Sequence, residues 1–157
     1  MLTRRVALLG LLAGCGLTPV YGPNGEAQVL QNATSIKVPD TVAGFRLRER
    51  LTERFGPATL DRYALTVTID ATLSPATISE DGVTTRFNLT GEAQYTLTTP
   101  DGMAVTAGTV NTFMGYSATG STVATQAAAT DAQARLSVAL ADLIAARLVL
   151  YVRQAAS

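Results

Sequence analysis

The residues from Tyr63 to Leu73 read YALTVTIDATL, and their alternation sets the fold class. The odd positions are apolar or aromatic and the even positions are small or polar, over eleven consecutive residues. Successive side chains of a β-strand point to opposite faces of the sheet, so the pattern predicts a strand with one buried and one solvated face. Ser74-Pro75 then predicts an interruption, because proline has no backbone N–H, and Glu80-Asp81-Gly82 predicts a turn.

Two further strands are predicted after this turn. Thr84–Thr98 alternates in the same way, and Gly91 inside it indicates a bulge or the close approach of a helix. Pro100-Asp101-Gly102 predicts a tight reversal into a third long strand, Met103–Tyr116. The phase of that strand slips near Gly108, which predicts a β-bulge at this point. The middle of the chain is therefore expected to form three antiparallel strands.

A helix is predicted from about Thr41 to Phe55, after a short strand at Thr34–Val38. Asp40 or Thr41 is expected to cap the start of the helix, and Gly56-Pro57 to end it. Its apolar residues recur every four positions, which is typical of a helix that packs on a core: Leu47, Leu51 and Phe55.

The same helix carries a row of arginines, Arg46, Arg50 and Arg54, beside the acidic Glu49 and Glu53. Each arginine can meet a carboxylate three or four residues away, which favours a solvated face that compensates its own charge. The alternative interpretation is a basic stripe that binds phosphates.

Alanine and leucine at helical spacing predict a long amphipathic helix from Ser121 to Arg153. Its apolar face is expected to hold Leu136, Ala139, Leu140, Leu143, Leu150 and Tyr151, with Asp131, Arg135, Asp142 and Arg153 roughly opposite. Asp142 and Arg147 lie in its most apolar part, which argues against a transmembrane helix. Arg147 is placed within the apolar stripe, either as a snorkelling side chain near the helix end or as a contact to a partner or anionic ligand.

Together these elements predict an α+β fold in the order β-α-β-β-β-α, with two helices packed on one face of a four-stranded, mostly antiparallel sheet. The other face is expected to be open, and its residues are polar with few charges: Thr66, Thr68, Thr72, Asn88, Thr90, Gln94 and Thr96. Antiparallel sheets tolerate one wet face, so a simply solvated surface is one interpretation. The other is a face that lies against the polar wall of a partner.

The N-terminus has the pattern of an export signal. Arg4 and Arg5 precede an apolar run that ends in Leu12-Ala13-Gly14-Cys15. A small residue directly before a cysteine resembles a bacterial lipoprotein signal, in which the cysteine sulfur receives a diacylglycerol and becomes the first residue. The expected organisation is a signal peptide at 1–14, a lipidated tether at 15–28 and one domain at 29–157. The alternatives are an ordinary buried cysteine, or export by the twin-arginine route to the same destination.

The composition excludes several functional classes. The chain has 157 residues with twelve basic and twelve acidic side chains, and no run of one sign that would attract nucleic acid. Histidine is absent, which removes the commonest general base and zinc ligand, so we expect no enzyme, no metal site and no cofactor. Cys15 is the single cysteine, so no disulfide can form within the chain.

The order of these parts resembles a known family. Cys15-Gly16-Leu17-Thr18-Pro19-Val20-Tyr21-Gly22 is followed by Phe45-Arg46-Leu47-Arg48, Tyr63-Ala64-Leu65-Thr66-Val67, Gly91-Glu92-Ala93-Gln94-Tyr95-Thr96-Leu97 and Asp142-Leu143-Ile144-Ala145-Ala146-Arg147-Leu148. This succession is similar to the lipopolysaccharide-assembly lipoprotein family LptE over nearly the whole mature chain.

The resemblance implies a non-enzymatic lipoprotein, anchored to the periplasmic side of the outer membrane through Cys15. It implies a plug within a large outer-membrane β-barrel of the LptD type, which delivers lipopolysaccharide to the outer leaflet. The partner is expected to lie against Thr68, Asn88, Thr90 and Gln94, and lipopolysaccharide to contact Arg86 and Arg147. An alternative is a lipid-carrier lipoprotein of another envelope system, which would need a cavity lined by large apolar residues.

Overall fold

The computed structural model describes residues 26–78 and 82–155. Its elements are a 3-10 helix Glu26–Leu30, β1 Thr34–Lys37, α1 Val42–Phe55, β2 Tyr63–Ile78, β3 Thr84–Thr98, β4 Ala104–Ser117 and α2 Thr122–Ala155. The predicted order β-α-β-β-β-α is confirmed. The signal peptide, Cys15, most of the predicted tether and the turn residues Glu80 and Asp81 lie outside the described residues. Ala27, inside the predicted tether, is fully buried in the core.

The strands form one mixed sheet in the order β1-β2-β3-β4. β1 runs parallel to β2, and the three long strands are antiparallel neighbours. Leu65 of β2 lies opposite Leu97 of β3, and both side chains are fully buried on the helix-covered face. The α+β fold with two helices and a four-stranded sheet is therefore confirmed.

The predicted interruption at Ser74-Pro75 is wrong, because β2 continues to Ile78. The Ala118 N–H donates to the Thr85 carbonyl at 2.9 Å, so odd residues of β3 hydrogen-bond to β4 and even residues to β2. Pro75 lies opposite the odd residue Phe87, and its nitrogen therefore faces away from β3. A proline at the outer edge of a sheet costs no ladder bond. The irregular pairing follows Pro75, between Pro75 and Thr77 and between Thr77 and Ile78.

Two of the strand glycines, Gly91 and Gly108, make room for neighbouring side chains. A Cβ on Gly91 would lie 2.7 Å from Cδ2 of Leu136 in α2, which confirms the predicted close approach of a helix. The bulge predicted at Gly108 is wrong, because the pairing of β3 with β4 is regular there. A Cβ on Gly108 would instead lie 2.7 Å from the hydroxyl of Tyr95, so this glycine makes room for an aromatic ring. The register shift in this strand pair lies between Leu97 and Thr98.

The first helix begins and ends as its sequence predicts. The hydroxyl of Thr41 accepts a hydrogen bond from the Gly44 N–H at 3.1 Å, which caps the start of α1. Gly56, with φ of 76°, donates its N–H to the Thr52 carbonyl at the end. The predicted core residues of α1 are confirmed, because Leu47, Leu51 and Phe55 are all fully buried.

The apolar face predicted for the long helix is partly wrong. The buried stripe of α2 consists of Ala132, Leu136, Ser137, Leu140, Ala141, Ile144, Ala145, Leu148 and Val149. Leu143, Leu150 and Tyr151 lie outside it, with 39%, 51% and 36% of their surfaces exposed. The helix contacts both α1 and the sheet, and close packing on two neighbours selects small residues such as Ala141 and Ala145 over bulkier ones.

Arg147 is likewise exposed and not within the buried stripe, which corrects its predicted position. The helix turns by about 100° per residue, so Leu143, Arg147 and Leu150 lie on the same side of α2. One wrong choice of the buried side therefore misplaced all three residues. Within residues 26–78 and 82–155, neither helix combines the length and apolar character that crossing a bilayer requires.

Candidate partner-binding face

The sheet face opposite the helices, which we call the open face, is built from cross-strand rows of side chains. The pairing of β2 with β3 and β4 sets three residues in each row. The rows are Thr66–Thr96–Ala107, Thr68–Gln94–Thr109, Asp70–Glu92–Asn111, Thr72–Thr90–Phe113 and Ser74–Asn88–Gly115. All four predicted partner residues, Thr68, Asn88, Thr90 and Gln94, lie on this face.

Side-chain hydrogen bonds within the open face are few and long. The Ser74 hydroxyl donates to the Asn88 carbonyl at 3.4 Å, and the Gln94 amide donates to the Glu92 carboxylate at 3.4 Å. Good hydrogen bonds of these types are about 2.7–3.0 Å long. The hydroxyl and amide groups of the rows are therefore available to an external partner.

Two acidic side chains lie directly opposite each other in the middle of the open face. Asp70 and Glu92 are cross-strand partners, and like charges in this arrangement destabilise a sheet. The nearest cations on the same face are Lys37, which is level with Thr66, and Arg86. At about 3.4 Å per residue they are roughly 13 Å and 20 Å away along the strands. In the described part of the chain, neither carboxylate forms an ion pair.

Phe113 is the large apolar residue of the open face. Its surface is 65% exposed, and it lies opposite Thr90, between Asn111 and Gly115 on its own strand. The sequence does not place Phe113 on either face, because the alternation of β4 slips near Gly108. In the structure Val110 is buried, and Phe113, an odd number of positions away, therefore lies on the outer face.

Arg46, Arg50 and Arg54 of the helix layer are paired with carboxylates of α1 and α2. Arg50 contacts both carboxylate oxygens of Asp142, at 2.9 Å and 3.1 Å, and Arg54 contacts Oδ1 at 2.8 Å. Arg50 also pairs with Glu53, and Arg46 pairs with Glu49. These contacts use the arginines of the predicted row to join α1 to α2, so the self-compensated interpretation holds with Asp142 as an additional partner. Asp142 thus lies at the helix interface and not on a solvated face opposite the core.

The pKa values of this cluster follow from the same contacts. Partial burial opposes the charged form of Asp142, but the hydrogen bonds from Arg50 and Arg54 outweigh it and lower the pKa of the carboxyl. Hydrogen bonds to Asp142 and then Glu53 raise the pKa of Arg50 above its ordinary value. Both shifts favour the charged forms of Asp142 and Arg50.

The family described as LptE, lipopolysaccharide-assembly, matches residues 28–148. The chain belongs to the LptE family. The match covers α1, all four strands and most of α2, so it includes the open face and the helix layer. No curated protein matches the sequence.

Solved structures share the LptE-family fold. A protein of Caulobacter crescentus CB15, assigned as a lipoprotein, has a TM-score of 0.65 at 19% identity, covering 81% of this chain and 96% of its own. Rare lipoprotein B of Shewanella oneidensis has a TM-score of 0.62 at 14% identity, covering 80% and 99%. A minor lipoprotein of Acinetobacter baumannii has a TM-score of 0.55 at 16% identity, covering 76% of this chain and 91% of its own. At these identities the likeness shows the fold alone.

The two residues expected to contact lipopolysaccharide lie far apart. Arg86 is exposed on the open face, near the β2–β3 connection, and a Cβ on Gly115 would lie 3.8 Å from its Nε. Arg147 is exposed on α2, near the end of the domain where Val152 meets Tyr63 and Leu97. The fold does not bring them together, so they cannot hold one phosphate between them. Cys15 lies outside the described residues. In residues 26–78 and 82–155, no cluster of His, Cys, Asp or Glu could hold a metal ion.

Proposed function

We propose that this protein is an outer-membrane lipoprotein, anchored through lipidated Cys15, that plugs an LptD-type β-barrel and assists its assembly. The barrel would insert lipopolysaccharide into the outer leaflet, with the plug domain on the periplasmic side. Membership of the LptE family supports a role in lipopolysaccharide assembly rather than in catalysis. The observation that carries the plug role is the open face, which is polar over the length of three strands and uncovered by any described element.

The chemistry of the open face suits the inside of a barrel. The interior of an outer-membrane barrel is polar, so a plug requires hydroxyl and amide groups rather than an apolar surface. Thr68, Thr90 and Gln94 provide such groups, and none of them forms a short side-chain hydrogen bond with another described residue. Phe113 adds one aromatic side chain, which is the residue type that most often anchors a protein interface.

The helix layer is the less suitable face for a partner. Arg46, Arg50 and Arg54 already bind Asp142 or the neighbouring glutamates, so a partner that covers this row would have to replace existing contacts. An exposed ion pair contributes little net binding energy because water already solvates it. The open face loses no internal ion pair when it is covered.

A charge pair placed on the open face tests the plug role. We expect Thr68→Glu with Asn88→Arg to leave the domain folded and to abolish recovery of the barrel, because a closed wall cannot solvate two bulky charges. The matched control is Thr52→Glu with Ala146→Arg, which puts the same charges on exposed sites of α1 and α2. The measurement is affinity capture from detergent-solubilised outer membranes, with the barrel quantified by mass spectrometry. Loss of the barrel in the control but not in the test variant would contradict the orientation.

Photo-crosslinking tests the same orientation without a disruptive change. Crosslinkers at Thr68 and Thr90 should attach to the barrel, whereas crosslinkers at Arg46, Arg50 and Arg54 should not. Crosslinkers at Val83 and in Gly115–Gly120, at the end of β4 and in the loop after it, should also attach to the barrel. Crosslinks arising solely from the arginine row would mean that the plug is inserted with its helices against the wall.

The lipid anchor is tested separately. Two or more acyl chains hold a protein on a membrane at about 0.8 kcal/mol per buried methylene, whereas one chain binds marginally. Cys15→Ser should therefore release the protein from the membrane fraction and remove the mass of the lipid. A Cys15→Ser variant that stays with the membranes at the unlipidated mass would contradict the anchor.

Contact with lipopolysaccharide through Arg86 and Arg147 is the finer part of this proposal. Because the two side chains are separated by the whole domain, we expect Arg86→Ala and Arg147→Ala to reduce co-purified lipopolysaccharide independently. The loss should be additive in the double variant, since distant sites do not couple. No change in either variant would remove these residues from the proposal.

A second candidate, a carrier of a single lipid, has one observation in its favour. A cavity of about 400 Å³ opens at the end of the sheet that lies next to the 3-10 helix, between β2, β4 and the end of α2. Val29, Tyr63, Val105 and Val152 are among its mostly apolar lining residues. Native mass spectrometry of a variant with Cys15→Ser, Arg86→Ala and Arg147→Ala discriminates the two functions, because a carrier would still retain a lipid in the cavity through purification and a plug would not.

A further inference from the structure

The sheet has two long free edges. Among residues 26–78 and 82–155, β1 pairs with Tyr63–Thr66 alone, so β2 has no strand neighbour on that side from Val67 to Ile78. Within the same residues, β4 is the last strand of the sheet and has no strand partner on its outer side along Ala104–Ser117. A free edge presents unpaired N–H and C=O groups, which can pair with a strand of another chain.

The register identifies which groups are unpaired on β4. The hydrogen bond from the Ala118 N–H to the Thr85 carbonyl shows that even residues of β4 bond to β3. The odd residues therefore direct their backbone groups outward: Ala107, Thr109, Asn111, Phe113, Gly115 and Ser117. By the same alternation, odd residues of β2 such as Ala71 direct theirs outward on the opposite edge.

The β2 edge carries devices that prevent strand pairing along its free part, whereas the β4 edge has only the register shift at Ala104–Thr106 and carries none from Thr106 to Ser117. Pro75 places its ring where an edge N–H would be, and two register irregularities follow it. Ala104–Ser117 contains no charged residue and no proline, and its pairing with β3 is regular from Thr106 onward. A long, uncharged and regular edge strand is a pairing site unless something covers it.

The β4 edge is continuous with the open face. Because the side chains of odd residues lie on that face, Thr109, Asn111 and Phe113 present polar or aromatic groups to the face and backbone groups to the edge. A partner lying on the open face therefore reaches the edge without a gap. Phe113, which is 65% exposed, lies in the centre of this junction.

We propose that the β4 edge binds an extended, uncharged segment of the barrel's chain by strand addition, with an apolar side chain of that segment packed on Phe113. This inference rests on the proposed function and specifies the contact through which the barrel is held. A second copy of this chain is the weaker occupant, since pairing of two edge strands alone buries less than the roughly 1,200 Å² of a stable interface. A partner that already covers the open face supplies the missing area.

A proline substitution on the β4 edge tests the strand contact independently of the other contacts of the open face. Thr109→Pro removes an outward N–H but no bond to β3, and the matched control Ala71→Pro does the same on the β2 edge. Both are made in the full lipoprotein, and the barrel captured from solubilised membranes is quantified by mass spectrometry. We expect Thr109→Pro to reduce capture at least tenfold and Ala71→Pro to stay within twofold of the unaltered protein.

Hydrogen exchange provides a measurement that needs no variant. In the complex, peptides covering Ala104–Ser117 should exchange at least tenfold more slowly at their outward amides than in the free lipoprotein. Peptides covering Val67–Leu73 should show no such change. This comparison decides the question if circular dichroism shows that Thr109→Pro fails to fold.

The possible results separate the two proposals. Full capture by folded Thr109→Pro, or unchanged exchange in β4, overturns strand addition and leaves the plug role intact. Failure of the unaltered protein to capture any barrel overturns both. A free lipoprotein that sediments as a dimer, and that Thr109→Pro converts to a monomer, shows that the occupant is a second copy and overturns the proposed one.

Discussion

The two faces of the sheet place their charged groups in opposite environments. On the helix side, Asp142 is held by Arg50 and Arg54, and the surrounding leucines are buried. On the open side, Asp70 and Glu92 lie opposite each other without a cation, and Phe113 is exposed. A domain that needed the open face for its own stability would not retain such an arrangement. The comparison shows that the ion pairs that join the two helices lie in the helix layer, which supports the proposal that the open face is kept for a partner.

The largest effect is expected from a charge in the helix layer. Leu140→Asp places an unpaired carboxylate at a fully buried site and should lower the free energy of unfolding by about 4 kcal/mol or more, which unfolds most domains of this size. Circular dichroism and urea titration measure it. Leu143→Asp is the control, because Leu143 is 39% exposed on the same helix and should cost far less. Equal losses would mean that α2 packs on the face predicted from the sequence.

A smaller loss is expected from the ion cluster that joins the helices. Asp142→Asn removes the contacts with Arg50 and Arg54 and should cost about 1 kcal/mol at neutral pH, since all three groups are partly exposed. Asp131→Asn, which breaks an exposed pair with Arg135 within one helix, should cost less than about 0.5 kcal/mol. Urea titration of both variants at pH 7 measures the difference.

The pH dependence of the free energy of unfolding of Asp142→Asn tests whether the lost charge is the cause of the lost stability. The pKa of Asp142 is lowered by folding, so its stabilisation is complete above the ordinary carboxyl value of 3.8 and is lost as the pH falls through the lower folded value. The difference between Asp142→Asn and the unaltered protein should therefore shrink as the medium becomes more acidic than pH 3.8. A difference that stays constant in acid would show that the asparagine disturbs packing and not charge.

On the open face, removing a charge should raise the free energy of unfolding instead of lowering it. Asp70→Asn relieves the repulsion with Glu92 and should raise the free energy of unfolding by about 0.5 kcal/mol. Asp61→Asn removes a charge outside the sheet and should change nothing measurable. Thermal unfolding at low salt measures both, because screening weakens the effect. A loss of stability in Asp70→Asn would show that the carboxylate is satisfied by a group within the domain.

The smallest effects are expected from single alanines on the open face. Thr68→Ala, Asn88→Ala and Thr90→Ala should each change the free energy of unfolding by less than about 0.5 kcal/mol, because these side chains form no short hydrogen bond in the domain. Each should also leave barrel capture nearly intact, because the proposed binding would be spread over many weak contacts. A single alanine that abolishes capture would instead identify a concentrated binding site.

Local sequence signals predicted most of the fold. The alternation in Tyr63–Leu73 and Thr84–Thr98 gave the strands, and Thr41 and Gly56 gave the limits of the first helix within one residue. These signals succeed because hydrogen bonding and side-chain direction repeat over two or four residues and depend on near neighbours alone. The polar residues of the open face followed from the same alternation.

Features that depend on a neighbouring element were decided by the tertiary structure. Pro75 continues a strand because its nitrogen faces an edge, and Gly108 accommodates the ring of Tyr95, a residue on the adjacent strand. Asp142 appeared solvated until α1 placed two arginines beside it.

The long helix and Phe113 show the same difference between what the sequence predicts and what packing decides. An amphipathic pattern fixes that α2 has an apolar face, but contact with α1 and the sheet selects the stripe through Ala141 and Ala145 and excludes Leu143. Alternation alone left the side of Phe113 open, and pairing with β3 set it on the open face. Sequence by itself determined the elements and their order, because those depend on local periodicity. Which residues meet, and which backbone edge stays free, depended on register and packing between segments distant in the chain.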